Sequence, residues 1–303
     1  LSFSLSFALV SLLLAAVPAL AWEREPPPVY HERRIRLVGE TGGDGVVVLF
    51  SYREQDVGVS TTPFRQNENF YYLTGWNEPD AIMLLVPKGA NQGIELAKEI
   101  LFIPPRDYRQ ERRTGPRLGP DDPGASARTG FPAVLGTGLF QSELQGALKK
   151  FTKVYTEVTP QPESGEECFT AEMLSRLKKL APLADFVDFR QILARLRMVK
   201  SPGEIAFIRK ATEASIEAHV AAMKEVGPGV WEYQIAARMK YEFERVGCER
   251  PGYPPILGSG FNSTVLHYDD NSKQIEEGDL VVMDVAGAYA GYSSDITRTL
   301  PAS

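Results

Sequence analysis

At 303 residues the chain has room for about two domains. With 43% hydrophobic and 24% charged residues its composition is that of an ordinary globular protein, not of a disordered or low-complexity chain. A formal net charge of -6 argues against a nucleic-acid binder, which would carry a basic stripe.

Residues 2–21 form an apolar run that ends in Ala19-Leu20-Ala21, an A-x-A-like cleavage site after a hydrophobic stretch. The run approaches the length of a membrane span. Pro18 and the small-residue end favour cleavage after Ala21, so the mature chain is read as exported, with no stable membrane association. Residues 23–28 are a polar, Pro-rich spacer. Two cysteines make no disulfide framework, and Cys168 and Cys248 are read as free thiols.

An α/β pattern begins near Tyr30. Residues 31–38 are expected to be helical, and the β-branched run 45–50 a buried strand. Residues 70–73 read as a strand or a turn of helix, broken by 75–79. Residues 81–86 and 101–104 are further strands. The polar, Arg-, Pro- and Gly-rich stretch 105–130 reads as a loop, framing a neighbouring subunit's active site. Amphipathic helices are expected over 141–150 and 171–180, with a strand over 151–156 between them. Residues 186–189 lead out of the first domain.

After residues 191–200, QILARLRMVK, comes Ser201-Pro202-Gly203-Glu204. Ser201 suits an N-cap, Pro202 the first helical position and Glu204 the third, where it completes a capping box. A long helix should run to about residue 226, with Ile205, Ile208, Ala211, Ile216 and Val220 as a rough apolar face. Gly227-Pro228-Gly229 ends it, and residues 231–246 give a second helix with Glu232 in its first turn. His219 has no acidic or His partner one turn on, so a packed or solvated side chain is expected there. A strand over 256–260 runs into a Gly turn, and 265–268 read as a short strand carrying His267.

Residues 279–301 read as two apolar strands joined by a Gly-containing turn, the first holding Asp284 and the second, over 289–300, holding Asp295. Pairing across the turn places both carboxylates on one face. Left alone they would repel, and one would take a proton. One or two divalent cations remove that conflict, because carboxylate oxygens suit hard metals. The competing reading is two exposed turn residues. Side-chain alternation puts Thr297 on the face of Asp295. There its hydroxyl can orient the carboxylate or a water, or it is an ordinary β-branched strand residue.

Two Asp separated by ten residues and followed by Ile296-Thr297-Arg298-Thr299-x-Pro resemble the first metal-binding hairpin of the pita-bread metallopeptidases. That group contains aminopeptidase P, prolidase and methionine aminopeptidase. Residues 64–81, FRQNENFYYLTGWNEPDA, resemble the amino-terminal domain of aminopeptidase P, and 197–205 resemble the usual entry to the pita-bread domain. The resemblance implies an α/β (α+β) fold, an amino-terminal α/β domain of aminopeptidase P type and then part of a pita-bread catalytic domain. The segments are 1–21 (leader), 22–190 and 191–303.

It also implies a pair of divalent ions, manganese by family preference, held by Asp284 and Asp295. The family's other ligands, one His and two Glu, lie further along its chain, so residues 1–303 alone are expected to be inactive. His267, in the family's G-S-G…H-Y segment, would bind substrate and stabilise the charged intermediate. Tyr253 matches a Tyr near the metals. The implied activity is metal-dependent hydrolysis of an N-terminal Xaa-Pro bond by an activated water. Peptides with Pro second are the implied substrates, and a homo-oligomer is the implied assembly. The alternatives are a prolidase-type dipeptidase and a pita-bread protein that binds peptides or proteins without catalysis.

Overall fold

The computed structural model describes residues 23–53, 64–89, 95–159 and 168–303. The apolar run read as a leader lies outside them. No described helix is long and apolar enough to cross a membrane.

The first part of the chain runs α1 (Pro27–Glu40), β1 (Gly45–Phe50), α2 (Glu68–Thr74), β2 (Ile82–Pro87), β3 (Leu96–Ile103), α3 (Tyr108–Thr114), α4 (Ala125–Thr129), β4 (Ala133–Gly136), α5 (Phe140–Ala147), β5 (Lys153–Thr156), α6 (Phe169–Leu180) and β6 (Asp185–Asp188). Its six-stranded sheet has the order β4-β3-β2-β1-β5-β6. The pairs β1–β2 and β2–β3 are antiparallel, and the outer pairs are parallel. β1 and β2 are buried along their whole length because helices cover both faces. Alternation sorts their side chains: Val47, Leu49, Met83 and Leu85 pack with α1 and α2, whereas Val46, Val48, Ile82 and Leu84 pack with α5 and α6.

The stretch 105–130, expected as a loop, contains α3 and α4. Asp107 caps α3 by accepting from the amides of Arg109 and Gln110, and Arg106 forks onto Glu111. Leu118 and Ala125 reach the core, which holds the segment down. The aromatic run at 70–73 is helical, not extended, with Asn67 accepting from the Phe70 amide at 2.9 Å. Phe70 and Leu73 enter the core, and the Tyr72 hydroxyl donates to the Leu196 carbonyl.

α7 (Arg190–Met198) follows, in the segment read as the start of the second domain, yet its Leu193 and Leu196 are buried in the first core. The remainder is α8 (Pro202–Met223), α9 (Glu232–Arg245), β7 (Arg250–Pro251), β8 (Ile256–Ser259), β9 (Leu280–Asp284), β10 (Gly287–Tyr289), β11 (Tyr292–Ser293) and β12 (Thr297–Pro301). These strands form two small sheets, ordered β11-β10-β7 and β12-β9-β8. The expected capping box forms at Ser201: its hydroxyl accepts from the Glu204 amide, and Glu204 accepts from the Ser201 amide.

The buried face of α8 differs from the expected one. Ala211 is buried as expected, but Ile205, Ile216 and Val220 are 48%, 52% and 46% exposed, and the helix instead buries Phe207, Ala214, Ser215, Ala218 and Ala222. Small residues are needed because the β10 backbone comes against this face: the Gly287 amide donates to the Ser215 hydroxyl at 3.0 Å. Bulkier side chains there would push the helix off the sheet. Cys168 and Cys248 are both free thiols.

Gly75 closes α2 at φ 64, and a Cβ on it would lie 2.5 Å from the ring of buried Tyr30. Gly75→Ala is therefore expected to cost about 2 kcal/mol through left-handed strain and the clash. Urea unfolding of the two proteins measures this.

Candidate active site

Along β9, Val281 and Met283 point into the core shared with α8 and α9, so Asp284 faces the other way. In register, Asp284 lies between Ile256 of β8 and Thr297 of β12. The single two-stranded ribbon expected over 279–301 is divided. β9 pairs with β12, while β10 pairs with β11 and with β7 in the other sheet. Ala290 and Gly291 both have positive φ, 51 and 79, and make the tight hairpin turn between β10 and β11. Hydrogen bonds to α8 accompany the division: the Ser215 hydroxyl meets that of Ser294 at 2.9 Å as well as the Gly287 amide. Asp284 ends β9 and Asp295 falls between β11 and β12, so both sit where the ribbon crosses from one sheet to the other.

The two carboxylates converge on one phenol. The Tyr253 hydroxyl donates to Asp284 Oδ1 at 2.6 Å and lies 3.3 Å from Asp295 Oδ1. One hydroxyl has one proton, so it serves one carboxylate at a time. Burial, then the hydrogen bond to Asp284 and the charges of both Asp, push the phenol's ionisation far up, and it stays a donor throughout the physiological range. Tyr253, Asp284 and Asp295 line a cavity of about 370 Å³ together with His267, Asp269, Pro254 and Ile256. Thr297 stands directly across from Asp284 but does not line the cavity.

A divalent cation fits these donors. They are carboxylate oxygens, they converge, and they face open space. The set is partial, since no group of three His, Cys, Asp or Glu among the described residues is placed to hold a metal.

His267 reaches the cavity by a different route from the strand expected over 265–268. A 3-10 turn spans Gly260–Thr264, the following residues are irregular, and His267 takes φ 59. A left-handed residue cannot continue a strand. Two residues were not foreseen as part of the site. Asp269 gives no sequence signal beyond its place two residues after His267. Glu232 is completely buried and binds the segment that carries His267; in sequence it is only an acidic residue in a helix's first turn.

The model for the aminopeptidase P N-terminal domain matches residues 30–155, and that for metallopeptidase family M24 matches residues 206–303. The Xaa-Pro aminopeptidase of Escherichia coli (strain K12) is 33% identical over 282 residues, covering 90% of this chain and 61% of that protein. The chain belongs to the aminopeptidase P group of metallopeptidase family M24. Xaa-Pro aminopeptidase 3 of Homo sapiens is 32% identical over 268 residues, covering 87% of this chain and 51% of that protein. Among solved structures, aminopeptidase P from Escherichia coli with the inhibitor Pro-Leu superposes with a TM-score of 0.78 at 31% identity, covering 92% of this chain and 63% of that one. A zinc-substituted Escherichia coli aminopeptidase P in complex with product gives 0.77, also at 31% identity, with the same coverage of both chains. The chain thus spans about three fifths of the length of the Escherichia coli enzyme. The α/β fold is that of the family's amino-terminal domain followed by part of its M24 domain.

Within that M24 segment His219 is packed, as its lack of a helical partner suggested. It is 3% exposed, its Nε2 donates to the Val285 carbonyl at 3.0 Å, and Nδ1 has no partner. Burial holds the imidazole below its ordinary value, against the opposing backbone hydrogen bonds. The unfolded chain then gains a proton first as pH falls. Stability should drop from the ordinary His value of ~6.5 down to the lowered folded value and level off below it. Melting temperatures between pH 7.5 and 5 should show this slope, and His219→Asn, which keeps a donor for Val285, should flatten it.

Proposed function

We propose that, in a form spanning the full length of its relatives, the protein is a metal-dependent Xaa-Pro aminopeptidase. It would hydrolyse the bond between a peptide's first residue and a proline in second position. The observation that carries this reading is the convergence of Asp284 and Asp295 on one phenol, in a cavity that His267 also lines. These are the positions that resemble the family's metal hairpin, and two relatives bear the name Xaa-Pro aminopeptidase.

Asp284 and Asp295 would hold two divalent ions, for which we propose manganese, with further ligands from the rest of the family's domain. Once bound, such ions activate a water and polarise the scissile carbonyl. The chain's own residues do the remaining work. Asp284 is fixed by its neighbours in register, and the Tyr253 phenol orients its carboxylate by donating to Oδ1. Thr297, opposite Asp284, supports that orientation. His267 offers an N–H to the carbonyl oxygen as charge gathers on it. Pro254 and Ile256 give the cavity an apolar wall, and its volume suits the end of a short peptide.

Residues 1–303 alone would then be inactive. A form of full family length should release Arg from Arg-Pro-Pro only when manganese is supplied, and leave Arg-Ala-Pro intact. Asp284→Asn or Asp295→Asn should lower kcat/KM by more than the ~100-fold seen when groups behind metal ligands are changed. Cleavage of Arg-Pro but not Arg-Pro-Pro would indicate a dipeptidase. No metal-dependent release from either would leave a peptide-binding protein.

A further inference from the structure

Glu232 begins α9 and has no exposed surface. A buried carboxylate is costly unless donors surround it. Its Oε1 accepts from the Ser259 amide and hydroxyl, each at 2.7 Å, and from Asn262 Nδ2 at 3.4 Å. Its Oε2 accepts from the Tyr268 hydroxyl and the Lys273 amide, both at 2.9 Å. The backbone repeats the link, with the Glu232 amide donating to the Lys273 carbonyl at 3.0 Å. All these partners belong to residues 259–273. Ser259 and Asn262 precede His267, and Tyr268 and Lys273 follow it.

Apolar burial does not hold this segment in place. Phe261 and Leu266 are 80% and 86% exposed. Asn271 ties the far side of the segment to β8 by accepting from the Leu257 amide and donating to the Pro255 carbonyl. Glu232 is the side chain that reaches both flanks of His267. Its place at a helix amino terminus further favours the negative charge.

We propose that Glu232 is the positioning residue for His267. Its carboxylate draws the two flanks of the segment to one point and so, with the His267 backbone left-handed, sets the imidazole in the lining of the cavity shared with Asp284 and Asp295. The geometric claim stands on this chain alone. Its catalytic consequence rests on the proposed peptidase reading.

Proton NMR of the ring C2–H lines separates the two. The chain has three histidines, His31, His219 and His267, so each line is assignable by single substitution. In Glu232→Gln an amide NH₂ faces donors on one side of the network. In Tyr268→Phe the donor to Glu232 and the acceptor of the Ser272 amide are lost and the ring is kept. Both should move the His267 line and leave the His31 line in place, with circular dichroism unchanged. Gly75→Ala, destabilising but remote, should leave the His267 line unmoved. A folded Glu232→Gln protein with an unmoved His267 line would overturn the proposal. If Glu232→Gln does not fold, Tyr268→Phe decides by the same criterion. In a form of full family length, the variants that move the line should also lower kcat by up to ~100-fold, the scale of loss for a displaced catalytic group. KM should change less. If that form has no peptidase activity at all, the peptidase reading fails while the NMR result still decides the positioning claim.

Discussion

Two like charges brought to one place are the constraint around which the carboxy-terminal part is built. Asp284 and Asp295 approach the same Tyr253 oxygen, and a single phenol proton cannot neutralise both. The backbone enforces the approach: β9 and β12 are zipped in register, and the other half of the ribbon is diverted into a second sheet and fastened to α8. The fold therefore supplies the work of holding the carboxylates together, and the divalent ions proposed for the site would sit where that repulsion is greatest. An Ala-rich helix follows from the same demand, since a diverted ribbon can reach α8 only if the helix presents small side chains.

The amino-terminal part is not a passive neighbour. Arg33 of α1 lies over the Tyr72 ring and pairs with Glu204, the residue that completes the α8 capping box. Glu204 also accepts from the Tyr292 hydroxyl of β11. Tyr71, from the aromatic run that resembles the family, packs so closely on Gly291 that a Cβ there would lie 2.7 Å from its ring. One motif thus sends Phe70 and Leu73 into the first core and Tyr71 onto the β10–β11 turn.

Local chemistry made much of this legible. The Ser201–Glu204 box, the β-branched run of β1 and the spacing of the two Asp each depend on residues close in sequence. What failed depended on partners far away. Residues 265–268 look extended because Val265 and Leu266 are good strand formers, but a carboxylate some 30 positions earlier pins both sides of the segment and the chain turns left-handed instead. The Ile positions of α8 look like a core face, yet only the approach of β10 decides which side is buried. The stretch 105–130 looked like a loop because its caps and ion pairs are polar, although Leu118 and Ala125 anchor it. The two-Asp segment was visible as a motif resembling the family's hairpin; its division between two sheets was not, since nothing local distinguishes β11 from β12.

The conformation of His267 bears on how its chemistry is to be dissected. At φ 59 the residue occupies a region that glycine enters freely, that asparagine tolerates and that alanine resists. Truncation to alanine would therefore add a backbone penalty of up to ~1 kcal/mol, the scale of histidine's several-fold enrichment in this region, to the loss of the imidazole, and the two would be indistinguishable in a rate. Asparagine at this position removes the ring with little change in backbone preference, so the difference between the two replacements isolates the conformational share.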